Sequence, residues 1–185
     1  MDLLKMILNA NGGRNIQQLA SQFGIEPSQA QTAVEKLAPA VARGLKREAS
    51  NESGLQSLLG ALTKGNHERY LEDPSTLTRP ESVADGNGIL GHIFGSKDVS
   101  RNVAAHAAQQ TGLDTGILKK MLPLVATMVM GGMSKGTKQA SGLSGAISGA
   151  LGGGSNPLGA LGSLLDQNND GSMLDDVLNM AKKLF

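Results

Sequence analysis

The chain lacks cysteine and tryptophan and has very few other aromatic residues. Its 185 residues include three phenylalanines and one tyrosine. Without cysteine there are no disulfides, no thiolate metal sites and no thiol catalysis. So few aromatic side chains argue against a β-sandwich or barrel, whose strands are rich in aromatic and β-branched residues. The core must therefore consist of Leu, Ala, Ile, Val and Met, which is typical of packed helices.

Charge is also scarce, and it is balanced in sign. The sequence has 17 Lys and Arg against 16 Asp and Glu, a net charge of +1. No global field therefore draws the chain to nucleic acid or to an anionic membrane. Residues 1–5 lack the basic start of an export signal, and the longest apolar run, 121–133, is shorter than the ~20 residues that span a bilayer. We expect a cytoplasmic protein without a membrane span.

One pattern of apolar residues and turns occurs twice. The order of elements in residues 3–39 recurs in residues 89–123. Each copy predicts a short apolar helix, a second helix that ends at Gly24 or Gly112, and a third, longer helix. Each third helix contains a proline, which we expect to kink or break it.

The predicted fold class is all-α, with two similar multi-helix repeat units packed together, a Gly-rich linker and a C-terminal helix. Residues 131–162 include eleven glycines. Each glycine in a helix costs about 1 kcal/mol relative to alanine, so a linker is favoured there. The predicted domains are a first helical repeat unit (1–72), a connector (73–80), a second helical repeat unit (81–134), a Gly/Ser/Ala-rich linker (135–163), and an acidic loop with an amphipathic helix (164–185).

The most chemically specific stretch is the acidic loop near the C-terminus. Its oxygen-bearing residues alternate before a glycine, as in loops that wrap around Ca²⁺. The twelfth position, where an EF-hand has its closing acid, is Val177, so an earlier Asp would have to close the loop. The alternative is a turn and a capping box that open the last helix. Ca²⁺ is the one cofactor predicted, with candidate ligands Asp166, Asn168, Asp170, Ser172 and Asp175.

The segment Leu19–Val34 has the pattern of a helix-turn-helix. In that interpretation Gln29, Gln31 and Thr32 would reach base edges. However, the matching turn at Gly112 precedes a helix too apolar to enter a groove, and few basic residues lie near these polar side chains. A helical packing corner is therefore favoured over nucleic-acid binding.

Enzyme signatures are incomplete in this sequence. The G-x-G-x-x-G at residues 86–91 follows no apolar strand, and the pair His67-Glu68 lacks the second histidine of a zinc protease. His67, His92 and His106 are scattered, and we interpret each as a surface or helix-face histidine. No catalytic residue, cofactor-binding residue or small-molecule substrate is predicted, and we expect the protein not to be an enzyme.

Several segments resemble the bacterial domain-of-unknown-function family 937. They are Gly88–Gly95, Val103–Leu113 and Leu118–Gly132, and the tail Leu164–Asp176 is similar to the acidic end common in that family. The Leu-Pro corner is similar to the related YidB-like proteins. The resemblance implies an all-helical bacterial protein with no assigned activity, so no catalytic residue can be carried over.

Composition and motifs together predict a non-catalytic scaffold or protein-interaction role. Its partner would be another protein or a second copy of the chain. One alternative is a helix-turn-helix DNA-binding regulator acting through Leu19–Val34. The other is a calcium-responsive binding module acting through Asp166–Asp176.

Overall fold

The structure is a computed structural model that describes residues 3–151, with side chains except at 63–64 and 138–151. All regular structure in this range is helical, which confirms the all-α prediction. Short 3₁₀ helices cover Ala10–Gly13 and Pro74–Thr78. The α-helices are α1 (Leu3–Asn9), α2 (Arg14–Phe23), α3 (Pro27–Ala49), α4 (Glu52–Lys64), α5 (Arg69–Glu72), α6 (Pro80–Phe94), α7 (Lys97–Thr111) and α8 (Thr115–Leu151).

Helix α3 is central to the compact unit formed by residues 1–135. It packs against α2, α4, α6 and α7. The side chains of Val34, Leu37 and Val41, which lie on one helical face, are fully buried. Removing such side chains from water is the main favourable term in folding. Helix α3 thus joins the first part of the unit to the second.

Two glycine corners connect the second and third helices of each predicted copy. Gly24 and Gly112 follow α2 and α7 in the left-handed backbone region, with φ of 64° and 71°. Only glycine adopts this region without strain, so it is the usual residue at such helix ends. The helices α1–α3 and α6–α8 follow the predicted order. The equivalence of the two units as repeats stays a prediction.

Neither internal proline ends its helix. Pro39 lies inside α3 and Pro123 lies inside α8, and both helices continue beyond these residues. The predicted breaks are therefore not seen. A proline in a helix interior removes one backbone hydrogen bond, and packing on several sides of the helix offsets that cost.

The middle of helix α8 is deeply buried. All residues from 121 to 134 are buried, and Leu124, Val125 and Met128 have no exposed surface. Within the part of the chain that the structure describes, Thr115–Thr137 is the one helix long and apolar enough to cross a membrane, and 78% of its most apolar window is buried inside the protein. A helix that is apolar on all sides also forms the core of a compact protein.

The predicted connector contains a short 3₁₀ helix whose residues Thr76 and Leu77 are buried. The Asp73 carboxylate accepts hydrogen bonds from the backbone N–H and the hydroxyl of Ser75. These two bonds lower the pKa of Asp73. Four residues later, Leu77 is fully buried. Residues 73–80 therefore set the direction in which the chain enters α6.

The predicted linker coincides in part with a helix. Helix α8 continues to Leu151, so the linker is not confirmed over residues 135–151. Apolar residues keep helical spacing there, which favours a helix despite the glycines. Residues 152–163 and the predicted loop and helix at 164–185 lie outside the described residues.

Candidate functional site

A pocket of about 290 Å³ lies between α3, α4 and α6. Ligand sites in proteins begin at about 300 Å³, so this pocket suits one large side chain or a small organic molecule. Its apolar lining residues are Leu45, Leu58, Ala61, Ala84, Ile89, Ile93 and Met130. Its polar lining residues are Glu48, Ser57, His67, Asp85 and His92. We call this cavity the histidine pocket.

One face of α6 supplies much of the pocket lining. Asp85, Ile89 and His92 line it at spacings of four and three residues, and Gly88, four residues before His92, lines it as well. This spacing places the four residues on the same side of a helix. The carboxylate of Asp85 and the imidazole of His92 therefore face the same cavity. Glu48, near the end of α3, lines the pocket from another helix.

A hydrogen-bonded cluster fixes Asp85. The buried Tyr70 donates its hydroxyl hydrogen to the Asp85 carboxylate, and Arg69 Nη2 donates to Tyr70 Oη at 2.7 Å and to Asp85 Oδ2 at 3.1 Å. Burial raises the pKa of the Tyr70 hydroxyl, and the hydrogen bond to Tyr70 raises the pKa of Arg69. Because α5 carries Arg69 and Tyr70, this cluster joins α5 to the pocket face of α6.

Two glycines make room for His67, which lies in the turn between α4 and α5. A Cβ atom at Gly65 would lie 2.2 Å from His67 Nε2. A Cβ at Gly131 of α8 would lie 2.6 Å from the His67 carbonyl oxygen. Contacts this short cannot be relieved without moving the ring or the backbone. The position of His67 at the pocket therefore depends on both glycines.

We expect the protein to lose stability in mild acid through His67. Burial lowers the pKa of His67 below 6.5, although the Asp85 carboxylate acts in the opposite direction and Arg69 in the same one. The unfolded chain therefore binds this proton more readily than the folded chain does. Stability is retained above about pH 6.5 and falls as the pH drops through the lowered pKa.

Urea unfolding of the wild type and of His67→Gln, from about pH 7.5 to about pH 5.5, measures this effect. The His67→Gln variant should lose less stability over this range than the wild type. The matched control is His106→Gln, at an exposed position on α7, which should follow the wild type. Equal losses in the wild type and His67→Gln would show that another group is responsible.

Residues 5–136 match the family described as "Bacterial protein of unknown function (DUF937)". The chain belongs to this family. No curated protein and no solved structure matches it. The DUF937 match confirms the predicted family and covers the helices that form the histidine pocket.

The fold brings together two histidines of this DUF937 chain that the sequence leaves apart. His67 and His92 both line the pocket, whereas His106 is exposed on α7 and lies 2.7 Å from the side-chain amide of Gln110. Within the described residues, no three His, Asp or Glu side chains are placed to hold a metal ion. The predicted helix begins at residue 89, whereas α6 begins at Pro80. The seven-residue spacing of Asp85 and His92 is the local signal that could have indicated a shared face.

The predicted calcium ligands are separate from the residues of this pocket in the sequence. They lie outside the described residues, and they are Asp166, Asn168, Asp170, Ser172 and Asp175. The G-x-G-x-x-G of residues 86–91 is described, and it lies inside α6. A dinucleotide site needs these glycines between a strand and a helix. The motif therefore lacks the strand that precedes the glycines of a dinucleotide site.

The predicted helix-turn-helix segment corresponds to α2, the Gly24 corner and the start of α3. Gln29 and Gln31 are exposed there, and Thr32 is partly exposed. The Gln31 amide donates to the Glu35 carboxylate at 2.9 Å. A carboxylate on this face opposes contact with phosphates, which supply most of the affinity for DNA. DNA binding through this segment stays a hypothesis.

Proposed function

We propose that the protein is a non-catalytic protein-interaction module, and that the histidine pocket receives an apolar side chain of a partner next to a Lys or Arg. The observation that carries this proposal is an apolar cavity whose charged lining residues are both acidic, Glu48 and Asp85. A partner segment with one apolar and one basic side chain complements this lining in both respects.

The size of the pocket supports an anchor side chain. Fully burying one Leu or Phe side chain contributes roughly 1.5–3 kcal/mol. Interfaces between proteins often depend on a few such anchors in well-packed pockets. The pocket walls are Leu, Ile, Ala and Met side chains on four helices, α3, α4, α6 and α8. These walls are held by the core and need little rearrangement when a side chain enters.

The charges at the pocket support a basic neighbour. Asp85 is already bound by Arg69, whereas no ion pair joins Glu48 to another described residue. Glu48 is half-buried, and water screens a partly buried charge less than a fully exposed one. Glu48 is therefore the carboxylate that we assign to the Lys or Arg of the partner.

The hydrogen bonds of the pocket favour binding over catalysis. Ser57 is the pocket hydroxyl, and it donates to the Ser53 carbonyl oxygen at 2.9 Å. A serine nucleophile needs its hydroxyl hydrogen directed at a base such as histidine. Tyr70 is likewise engaged with Asp85. Neither hydroxyl is arranged as an activated nucleophile.

Binding of short labelled peptides, measured by fluorescence anisotropy, tests this function. A peptide with adjacent Lys and Leu should bind about tenfold more tightly than peptides in which Glu replaces the Lys or Ser replaces the Leu. Isoamylamine, an apolar amine of similar chemistry, should compete only weakly because it lacks the peptide backbone. Equal affinity for all three peptides, or tighter binding of the free amine, would contradict a protein-interaction role.

Two variants connect the binding to the histidine pocket. Glu48→Gln should weaken the Lys-Leu peptide about threefold, whereas Glu52→Gln, an exposed control on α4, should not. Gly88 lines the pocket, and a Cβ there meets open space, so Gly88→Leu should block the pocket. Binding that survives both Glu48→Gln and Gly88→Leu would place the peptide elsewhere.

A further inference from the structure

A second and larger cavity lies on the other face of α6. Its volume is about 580 Å³, within the usual range of ligand sites. Its lining comes from α6, the start of α7 and the first turns of α8. On α6, Asn87, Leu90 and Gly91 face this cavity, whereas Asp85 and His92 face the histidine pocket. We call it the basic groove because of the charges that line it.

The charged residues of the basic groove are all cationic. Lys97 and Arg101 lie four residues apart on one face of α7, and Lys119 lies on α8. No acidic side chain is among the lining residues. Asp98 is the nearby acid, and it is ion-paired with Arg101 at 2.8 Å. Three cations with one neighbouring carboxylate leave the groove with excess positive charge, although the net charge of the chain is only +1.

The groove also has an apolar side. Leu90 and Leu122 are buried and line it, together with Pro123. Leu90 and Leu122 are only 5% and 1% exposed, so they form the apolar floor of the groove rather than an open surface. A free inorganic anion would leave that floor without an apolar partner. A molecule with an acidic head and an apolar body would cover it and meet the cations at once. The two kinds of lining residue therefore point to one class of ligand.

We propose that the basic groove binds an alkyl phosphate, with the phosphate at the three cations and the carbon chain against Leu90 and Leu122. This site is separate from the histidine pocket, so its test does not depend on the proposed protein-interaction role. The same chemistry occurs in a soluble phosphate monoester and in the headgroup region of phosphatidic acid. Both sources present a phosphate joined to an apolar chain.

Titration calorimetry with octyl phosphate, below the concentration at which it forms micelles, tests the proposal. Octyl phosphate should bind about tenfold more tightly than inorganic phosphate or octyl glucoside. Inorganic phosphate lacks the apolar chain, and octyl glucoside lacks the negative charge. Its affinity should fall as salt is raised, since the cations are exposed. Equal affinity for octyl phosphate and octyl glucoside would overturn the proposal.

Flotation with phosphatidylcholine vesicles, with and without phosphatidic acid, distinguishes the two sources. Flotation that requires phosphatidic acid would assign the groove to a lipid. Octyl phosphate binding without flotation would assign it to a soluble phosphate monoester. Flotation with phosphatidylcholine alone, together with no response to octyl phosphate, would contradict the proposal.

Adjacent lysines on α8 provide a matched pair of variants. Lys119 lines the groove and Lys120 does not, and both are exposed. Lys119→Gln should weaken octyl phosphate binding about threefold, and the double variant Lys97→Gln/Lys119→Gln about tenfold, whereas Lys120→Gln should not weaken it. An equal loss in Lys119→Gln and Lys120→Gln would show that binding follows net charge rather than this groove.

Two glycines of α6 allow each cavity to be blocked without the other. Gly91 lines the basic groove, and a Cβ there meets open space. Gly91→Leu should therefore reduce octyl phosphate binding and leave peptide binding unchanged. Gly88→Leu, which faces the histidine pocket, should do the reverse. Loss of octyl phosphate binding in Gly88→Leu but not in Gly91→Leu would place the ligand in the histidine pocket and overturn this proposal.

Discussion

Replacing Gly86 with alanine is expected to destabilise the protein by about 3 kcal/mol. A Cβ at this position would lie 2.1 Å from the backbone carbonyl oxygen of Pro123. Both atoms belong to helices, so the clash cannot be relieved by turning a side chain. Helices α6 and α8 would have to separate, which would expose part of the core. Urea unfolding followed by circular dichroism measures the change.

The control for Gly86→Ala lies two residues further along the same helix. A Cβ at Gly88 has no atom within 4 Å. Gly88→Ala should therefore stabilise the protein, by up to about 1 kcal/mol, because alanine favours a helix more than glycine does. The two changes are chemically identical and should have opposite signs. A stable Gly86→Ala variant would mean that α6 and α8 do not approach each other as closely as described.

Replacing Asn15 with leucine is expected to cost about 2–4 kcal/mol. Asn15 is fully buried, and its side-chain amide donates to the carbonyl oxygens of Tyr70 and Leu71 at 3.1 and 3.2 Å. Leucine has a similar size but cannot donate, so the Tyr70 carbonyl loses this donor in the interior, whereas the Leu71 carbonyl keeps the Asn11 amide as a donor. The Asn11 amide in turn loses the Asn15 side-chain oxygen as an acceptor. Those carbonyls belong to α5, and the change should loosen the segment that holds Asp85.

Thermal and urea unfolding of Asn15→Leu measure this loss. Gln17→Leu, at an exposed position on the same helix, is the control and should stay within about 0.5 kcal/mol of the wild type. The peptide affinity of Asn15→Leu should also fall, because α5 contacts the pocket face of α6. An Asn15→Leu variant as stable as Gln17→Leu would show that the Tyr70 carbonyl group finds another donor.

Local patterns predicted much of the helical order. The stripe that includes Val34, Leu37 and Val41 is buried as its spacing indicates, and the corners at Gly24 and Gly112 have the left-handed backbone that ends a helix. These features depend on neighbours within a few residues, which the sequence displays directly. The family resemblance could be recognised because the residues that carry it form continuous segments of the sequence.

The histidine pocket could not be predicted in this way. Glu48, His67 and Asp85 lie on three separate elements, and tertiary packing alone brings them to one cavity. The structural roles of the glycines near the site could not be predicted either. Gly86 contacts α8, whereas Gly88 and Gly91 face different cavities. Nothing in the local sequence distinguishes a glycine needed for close packing from one beside open space.

The predicted linker shows the competition between two local signals. Glycine content favours an irregular chain, because each helical glycine costs about 1 kcal/mol. Regular apolar spacing favours a helix, and α8 continues to Leu151. The helix propensity of single residues is a weak guide when apolar residues recur at positions on one face of a helix. The calcium loop and the last helix stay predictions, because they lie beyond the described residues.

The position of Tyr70 has a consequence for spectroscopy. It is the single tyrosine of a chain without tryptophan, so the tyrosine fluorescence of the protein comes from one phenol ring. That ring is buried, lies 6.3 Å from the ring of His67 and donates its hydroxyl hydrogen to Asp85. Its emission therefore reports on one wall of the histidine pocket in the unlabelled protein, with no background from a second fluorophore.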